Sequence, residues 1–361
     1  MVLAFKPLQD ATLYEAYPYK NTGLDEILEI QKTISDSTFT ESRPILLFDT
    51  NAIATALTNF NVSGSNAYAS LVMNTVQYSE VPLHYIIEVD AVSGSWTNGT
   101  GKYADISLSG GVTWVYTQGE SNQFWLTSSY AAGSTGNYNV LPGGGTWYTS
   151  SIATQSFSFK QDNDLNVDVT DMVRSWLTGS FDNNGMLVRL RNISSADYLL
   201  PTNIQFYSSE THTVYSPTLR IQWDSSTTYT TGSLVTASLS DNPIVYLYGF
   251  KGEYKPDVSV RVFVRSRPMY PKKTFSQNPD YGTVLALPAD TYYRILDAHT
   301  NEIIVDYSNY TKVDCDSNGN YFDFSTTSLY PERFYKFEFK STISNKVEYF
   351  TDEYLFKIVN Y

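Results

Sequence analysis

Apolar and polar residues alternate in short stretches along most of the chain, and turn formers separate the stretches. Ser156-Phe157-Ser158-Phe159 and Thr218-Leu219-Arg220-Ile221-Gln222-Trp223 have a period of two, which puts one face of a strand on a core and the other in water. Arg43-Pro44-Ile45-Leu46-Leu47-Phe48, His84-Tyr85-Ile86-Ile87-Glu88-Val89 and Leu187-Val188-Arg189-Leu190 also read as strands, from their β-branched and aromatic content. Turn signals such as Asn21-Thr22-Gly23, Asn98-Gly99, Ser109-Gly110-Gly111, Leu141-Pro142-Gly143-Gly144-Gly145 and Asn183-Asn184-Gly185 recur at intervals of about eight to twelve residues, the spacing of an all-β sandwich or barrel.

Helical signals are few. Residues 168–179 place Val169, Met172, Val173 and Trp176 at helical spacing, with Asp168 as the capping residue and Gly179 at the end, which predicts one short helix. Thr22 to Lys32 fits either type: Leu24, Ile27 and Leu28 suit a helix, whereas Leu28, Ile30 and Lys32 suit a strand.

The polar, low-complexity stretch from Asp224 to Ser233 is the best linker, so the expected organisation is an N-terminal domain over 1–224, a linker over 225–239 and a smaller C-terminal β-sandwich over 240–361. The C-terminal part repeats the strand pattern in Ile244–Tyr248, Val258–Val264, Tyr292–Leu296, Glu302–Val305 and Phe334–Phe339, with no convincing internal repeat between the halves. Residues 314–320 place Ser317-Asn318-Gly319 between strand-like runs.

Several separated fragments together resemble the DNRLRE domain, a β-jelly-roll family of surface and secreted proteins related to the disaggregatase modules. They are Asp10–Tyr14 with Asn21-Thr22-Gly23, Ser42–Asp49, Gly94-Ser95-Trp96, Gly111–Trp114, Asp168-Val169-Thr170 leading to Trp176 and Gly179, Asn184–Leu187, and Phe206–Glu210 followed by Pro217 and Leu219. Seven fragments in order span residues 10–223, about three-fifths of the chain. The resemblance implies an N-terminal jelly-roll β-sandwich, with Trp96, Trp114 and Trp176 on core positions. A stretch rich in Gly, Ser, Asn and Tyr, from Gln118 to Thr154, departs from the pattern. The Tyr-rich, nearly Cys-free pair of β domains is similar to virion structural proteins of tailed bacteriophages.

Composition narrows the function. Of 361 residues 42% are hydrophobic, enough for a real core, and 15% are aromatic, including 30 Tyr, while only 17% are charged. The net charge is −13, and residues 1–225 hold 10 Lys/Arg against 21 Asp/Glu. Nucleic acid is therefore not an expected partner, since no basic run exceeds Lys272-Lys273. No apolar run approaches a bilayer span, and the start, Met1 to Lys6, is too short for a signal core, so synthesis in the cytosol and no membrane partner are expected. The single Cys315 forbids an intrachain disulfide and a Cys-based zinc site, and the four N-x-S/T sequons at Asn61, Asn98, Asn192 and Asn309 read as a by-product of composition.

Candidate chemistry is sparse. His84, His212 and His299 sit in no catalytic signature, and Asp162, Asp164, Asp168 and Asp171 read better as loop and helix-start carboxylates than as a glycosidase pair. Asp314, Asp316 and Asn318 match the first half of a calcium loop, but Ser325 stands where the bidentate Glu belongs, and a hairpin turn is the preferred reading; no other cofactor is expected. Trp125 and Trp147, in the Gly/Ser/Asn-rich stretch, are expected at the surface as contacts for protein or sugar. The expectation is a non-enzymatic virion structural protein of a tailed phage, in its neck, tail or capsid surface, that assembles with other virion proteins and with its own copies. Tyr14, Tyr17, Tyr19, Trp125, Tyr130, Tyr138, Trp147 and Tyr148 are the docking candidates. The alternative is a carbohydrate-binding module for host-surface glycans.

Overall fold

The computed structural model describes residues 1–35, 38–79, 81–105, 110–119, 123–125, 143–158, 163–191, 201–224, 229–270, 284–327 and 329–359. Strands dominate these residues and only two α-helices occur among them, so the all-β class expected from the alternation holds. Two compact units result: residues 4–221, and residues 1–3 together with 222–361. No helix among the described residues is long and apolar enough to cross a membrane.

The N-terminal unit is a jelly-roll-like sandwich. Its larger sheet orders Trp147–Ser158, His84–Val92, Met186–Leu190, Thr38–Leu47, Ile27–Ser35, Thr202–Tyr207 and Thr75–Ser79, with Gln9–Tyr14 also paired to Thr38–Leu47. The smaller sheet orders Val2–Phe5, Thr218–Gln222, Tyr68–Met73 and Leu165–Asp168. Alternation decides which residues turn inward: Thr202, Ile204 and Phe206 are buried along one strand, Leu219 and Ile221 along another. One core cluster joins Ala11, Leu13, Ile45, Val92 and Leu187 to four tryptophans, Trp96, Trp114, Trp125 and Trp147. The segment from Thr22 to Lys32 resolves as strand from Ile27 onward, because Leu28 and Ile30 are both buried while the chain pairs with Thr202–Tyr207.

The expected helix forms at Thr170–Thr178, buries Met172, Val173 and Trp176, and ends at Gly179 in the left-handed region (φ 72°). Asp168 acts one residue upstream of the cap position, its Oδ1 accepting from Thr170 N at 2.9 Å. The expectation of a single helix is corrected by a second, Thr50–Asn59. Asp49 caps it by accepting from Asn51 N and Ala52 N, and only Ile53 and Leu57 are buried. A helix with one i,i+4 apolar pair in a Thr/Asn-rich run has almost no periodic signal.

The C-terminal unit is also built from two sheets. One contains Val235–Thr236, Leu285–Ala286, Ser259–Pro268, Gly319–Ser325 and Asp314–Asp316, with Pro243–Tyr248 on the other side of Ser259–Pro268. The other orders Glu253–Tyr254, Lys346–Ile358, Phe334–Ile343, Thr291–Asp297 and Ile303–Val305. An aromatic core holds this unit: Phe337 stacks on Phe356 at 4.8 Å and meets Phe322 edge-on at 5.1 Å, while Tyr293 stacks on Phe322 at 4.4 Å. The linker reading is corrected for 229–239. Val235–Thr236 pairs in parallel with Leu285–Ala286, Thr230 N donates to Cys315 O, and Ala237 is buried, so backbone pairing overrides a polar composition.

Candidate functional site

Tyr17 and Tyr103 of the first unit owe their positions to an interlocked group of loops. Asn21, buried after the turn that follows Gln9–Tyr14, donates from Nδ2 to Asn98 O and Val112 O at 2.7 Å each, and its Oδ1 accepts from Gly101 N at 2.8 Å. Thr22 Oγ1 both accepts from Thr12 N and donates to Thr12 O. The loops approach so closely that a Cβ at Gly23 would lie 2.3 Å from Asn98 O, and one at Gly99, itself at φ 79°, would lie 2.0 Å from Gly110 O. This clamp fixes the turn carrying Tyr17 and Lys20 against the loop carrying Lys102 and Tyr103.

A cleft of about 450 Å³ opens beside the clamp, lined among others by Tyr14, Asp25, Glu26, Glu29, Tyr103 and Gln205. The ring of Tyr103 meets Tyr14 at 5.0 Å and Tyr17 edge-on at 5.6 Å. Asp25 holds the Tyr103 backbone by accepting its N–H at 3.0 and 3.1 Å. Glu29 and Gln205 are cross-strand partners, and Gln205 Nε2 donates to Glu29 Oε1 at 3.0 Å. Lys20 places its ammonium 4.6 Å from the Tyr103 ring centre and 4.9 Å from that of Tyr17, and donates to Tyr103 O at 2.6 Å.

Burial pushes the Tyr14 hydroxyl far above the usual phenol range, with the Glu29 carboxylate adding to it, and Tyr103 is pushed up to about 12, mainly by desolvation. Both phenols therefore stay protonated as donors at neutral pH. Desolvation also raises Asp25, against the opposing pull of the Tyr103 N–H and of Lys102 and Lys20. Phenol rings, carboxylates and a side-chain amide in one recess are equipped to hold a cation or a polyhydroxyl ligand by stacking and hydrogen bonding.

The eight docking candidates separate on folding. Tyr14 forms the buried wall of the cleft, while Tyr17 and Tyr19 are 47% and 48% exposed. Tyr19 lies 5.9 Å from Tyr116, which in turn lies 4.8 Å from Phe124. Tyr148 is half-buried and stacked on Phe181 at 4.5 Å. Tyr130 and Tyr138 lie outside the described residues.

Trp125 and Trp147 correct the expectation of surface contacts, being only 2% and 3% exposed. Trp125 Nε1 donates to Thr113 O at 3.0 Å. Trp147 is packed beside two guanidinium groups, Arg189 at 4.8 Å and Arg43 at 5.8 Å. At the end of the Gly-rich stretch, Gly144 donates to Trp114 O at 2.7 Å and its carbonyl accepts from the fully buried Arg43, so glycine backbone covers the tryptophan layer. Polar composition there reflects a need for small residues and positive φ, at Gly144 and Gly145, rather than exposure.

Tyr103, Asp25, Glu29 and Gln205 were not anticipated as site residues. The acidic pair Asp25-Glu26, just after a Tyr-rich run, is the one local sign of them.

The remaining candidates take structural places. His84, His212 and His299 are exposed on three separate elements. Asp164 Oδ1 accepts from Thr75 N at 2.7 Å and Asp171 stands in solvent 3.9 Å from Arg174; Asp162 lies outside the described residues. Asp314–Asp316 and Gly319–Ser325 form a hairpin whose turn is Ser317-Asn318, with Asn318 N donating to Asp316 Oδ1 at 2.7 Å. No group of three or more His, Cys, Asp or Glu among the described residues is arranged to hold a metal. No protein-family model matches the chain, and no curated protein matches it.

Proposed function

We propose that this chain is a non-enzymatic structural protein of a tailed-phage virion that acts by protein–protein assembly, with the tyrosine–carboxylate cleft as a docking surface. The observation that carries the reading is the rigid presentation of Tyr17, Tyr103 and Lys20 beside Asp25 and Glu29, on loops clamped by the buried Asn21. Preordered aromatic side chains lose little freedom on binding and supply much of an interface's energy. The virion setting rests on the resemblance of residues 10–223 and on the Tyr-rich, nearly Cys-free composition. Cross-linking mass spectrometry on purified particles tests it, using an amine-reactive reagent. Links from Lys20 and Lys102 to another virion protein are expected, and absence of the chain from the particle refutes the proposal.

A second reading, glycan attachment, draws on a groove of about 340 Å³ at the start of helix Thr170–Thr178. There the exposed ring of Tyr68 and the Phe181 ring flank Ser150, Ser151, Thr170 and Ser175. Sugar binding in a glycan array that is lost in Tyr68→Ala would favour it.

A further inference from the structure

The second unit carries an exposed sheet face of the opposite electrical character. Along Ser259–Pro268, Val262, Val264 and Ser266 turn into the core, which leaves Arg261, Phe263, Arg265 and Arg267 on the outer face. Cross-strand pairing extends this into a ladder, with Tyr248 opposite Phe263 on one side and Tyr321 opposite it on the other. The ring centres are 6.4 and 6.2 Å apart. Arg265 lies 4.1 Å over Tyr248, which is 55% exposed, and Arg261 lies 4.4 Å over Tyr321.

Arg261 is held by Asp323 through two hydrogen bonds of 2.8 Å. Among the described residues Arg265 and Arg267 form no ion pair; Arg267 donates to Pro268 O, and Arg265 Nε has no hydrogen-bond partner. Among the described residues the face therefore presents two guanidinium groups without a carboxylate partner on an aromatic strip. The first unit presents the complement: Asp25, Glu26, Glu29 and Tyr103 line the cleft with a single cation, Lys102, and Glu26 is the exposed carboxylate among them, within the region that holds 10 Lys/Arg against 21 Asp/Glu.

We propose that the arginine–aromatic face of one copy docks on the tyrosine–carboxylate cleft of a second copy, with Arg265 and Arg267 presented to Glu26 and its neighbours. The inference rests on the assembly reading and names the partner as another copy of this chain. Two observations within the molecule show the chemistry at work. At the edge of the cleft a cation is already held by phenol rings, since Lys20 is shared between Tyr17 and the cleft residue Tyr103. The Arg261–Asp323–Tyr321 group already joins a guanidinium to a carboxylate and a phenol ring in the arrangement the contact requires. Because the two surfaces differ, the contact is head-to-tail, and an open assembly keeps one free arginine face and one free cleft until a ring closes.

Sedimentation velocity on the full chain tests this. The wild type is expected to exceed monomer mass at low ionic strength, to grow with concentration, and to dissociate as NaCl rises from about 50 to about 500 mM, where screening shortens the reach of charges. The salt series needs no substitution and so is free of folding effects. Arg265→Ala with Arg267→Ala removes one face, and Tyr17→Ala with Glu26→Lys removes the other. Each double variant alone is expected to lose at least about tenfold in self-affinity. Mixed, they retain one intact cleft and one intact arginine face between them, so a species of twice the monomer mass, and none larger, is expected.

A monomeric wild type at low salt overturns the proposal. So does a mixture that stays monomeric, or association lost in only one of the two variants, which marks a face pairing with itself. An arginine face that captures oligothymidylate or an anionic glycan while the chain remains monomeric also overturns it. If self-association fails and the chain is still found in purified particles, assembly with other virion proteins stands and only this partner is wrong.

Discussion

Asn21→Ala is the most direct test of the claim that a buried amide positions the tyrosine cleft. The substitution removes the amide's hydrogen bonds at a site 2% exposed, among them the three short ones to Asn98 O and Val112 O and from Gly101 N, with a longer one from Gly23 N. A buried polar group left without a partner costs about 1–3 kcal/mol, so three set a ceiling of about 9 kcal/mol. Water entering the space of the lost amide restores some of these bonds, which brings the expected loss to about 3–5 kcal/mol. That is a large share of a domain's usual stability of about 5–15 kcal/mol.

Because the chain has two units, unfolding is not treated as one transition. Tryptophan fluorescence is a natural probe of the first unit, since Trp96, Trp114, Trp125, Trp147 and Trp176 all lie within it and only Trp223 lies in the other. In urea, the tryptophan transition is expected at a lower midpoint, and hydrogen exchange at residues 20–23, 98–101 and 110–112 is expected to accelerate in native conditions. A loss below about 1 kcal/mol with unchanged exchange in these loops refutes the clamp, because three buried polar groups cannot be orphaned so cheaply.

Arg189→Met removes the guanidinium that contacts both Glu88 and Asp90 and flanks Trp147, leaving Arg191 on Glu88 alone. A loss of about 3 kcal/mol in the first unit is expected by thermal unfolding, as a buried carboxylate is left unpaired. Asp10 and Asp90 are both raised by burial to about 6, from an ordinary value near 3.8. Since the folded value lies above the unfolded one, their ionisation opposes folding above about pH 6, and this opposition is relieved as pH falls from about 7 toward 4. Carboxyl ¹³C titration should give midpoints near 6 for both; values near 4 would refute the burial argument. Phe337→Ala takes a fully buried ring from contact with Phe322, Phe324 and Phe356, and a loss of about 3–5 kcal/mol is expected by calorimetry of the second unit.

Strands were legible in two ways: Trp147–Ser158 and Thr218–Gln222 contain runs of period two, which burial on one face imposes whatever the order of strands, and His84–Val92, Met186–Leu190 and Phe334–Ile343 contain β-branched and aromatic runs. The helix at Thr50–Asn59 was not legible, since two buried residues in ten leave no stripe to read. Among the docking candidates, Tyr17 and Tyr19 are exposed, whereas Tyr14 is buried. Trp125 and Trp147 were misplaced because a Gly-rich composition looks the same whether the backbone projects into solvent or lies flat over a core.

The amino-acid order alone therefore determined the β class, the short helix at Thr170–Thr178 with Trp176 on its apolar face, and the acidic character of the first 225 residues. All of these depend on neighbours within a few positions or on composition. Tertiary structure alone decided that Tyr14 and Tyr17 meet Tyr103, that Glu29 meets Gln205, and that Tyr248, Phe263 and Tyr321 form one ladder. Those contacts join residues tens to more than a hundred positions apart, and they exist only once hydrogen-bonded strands and clamped loops have set the register.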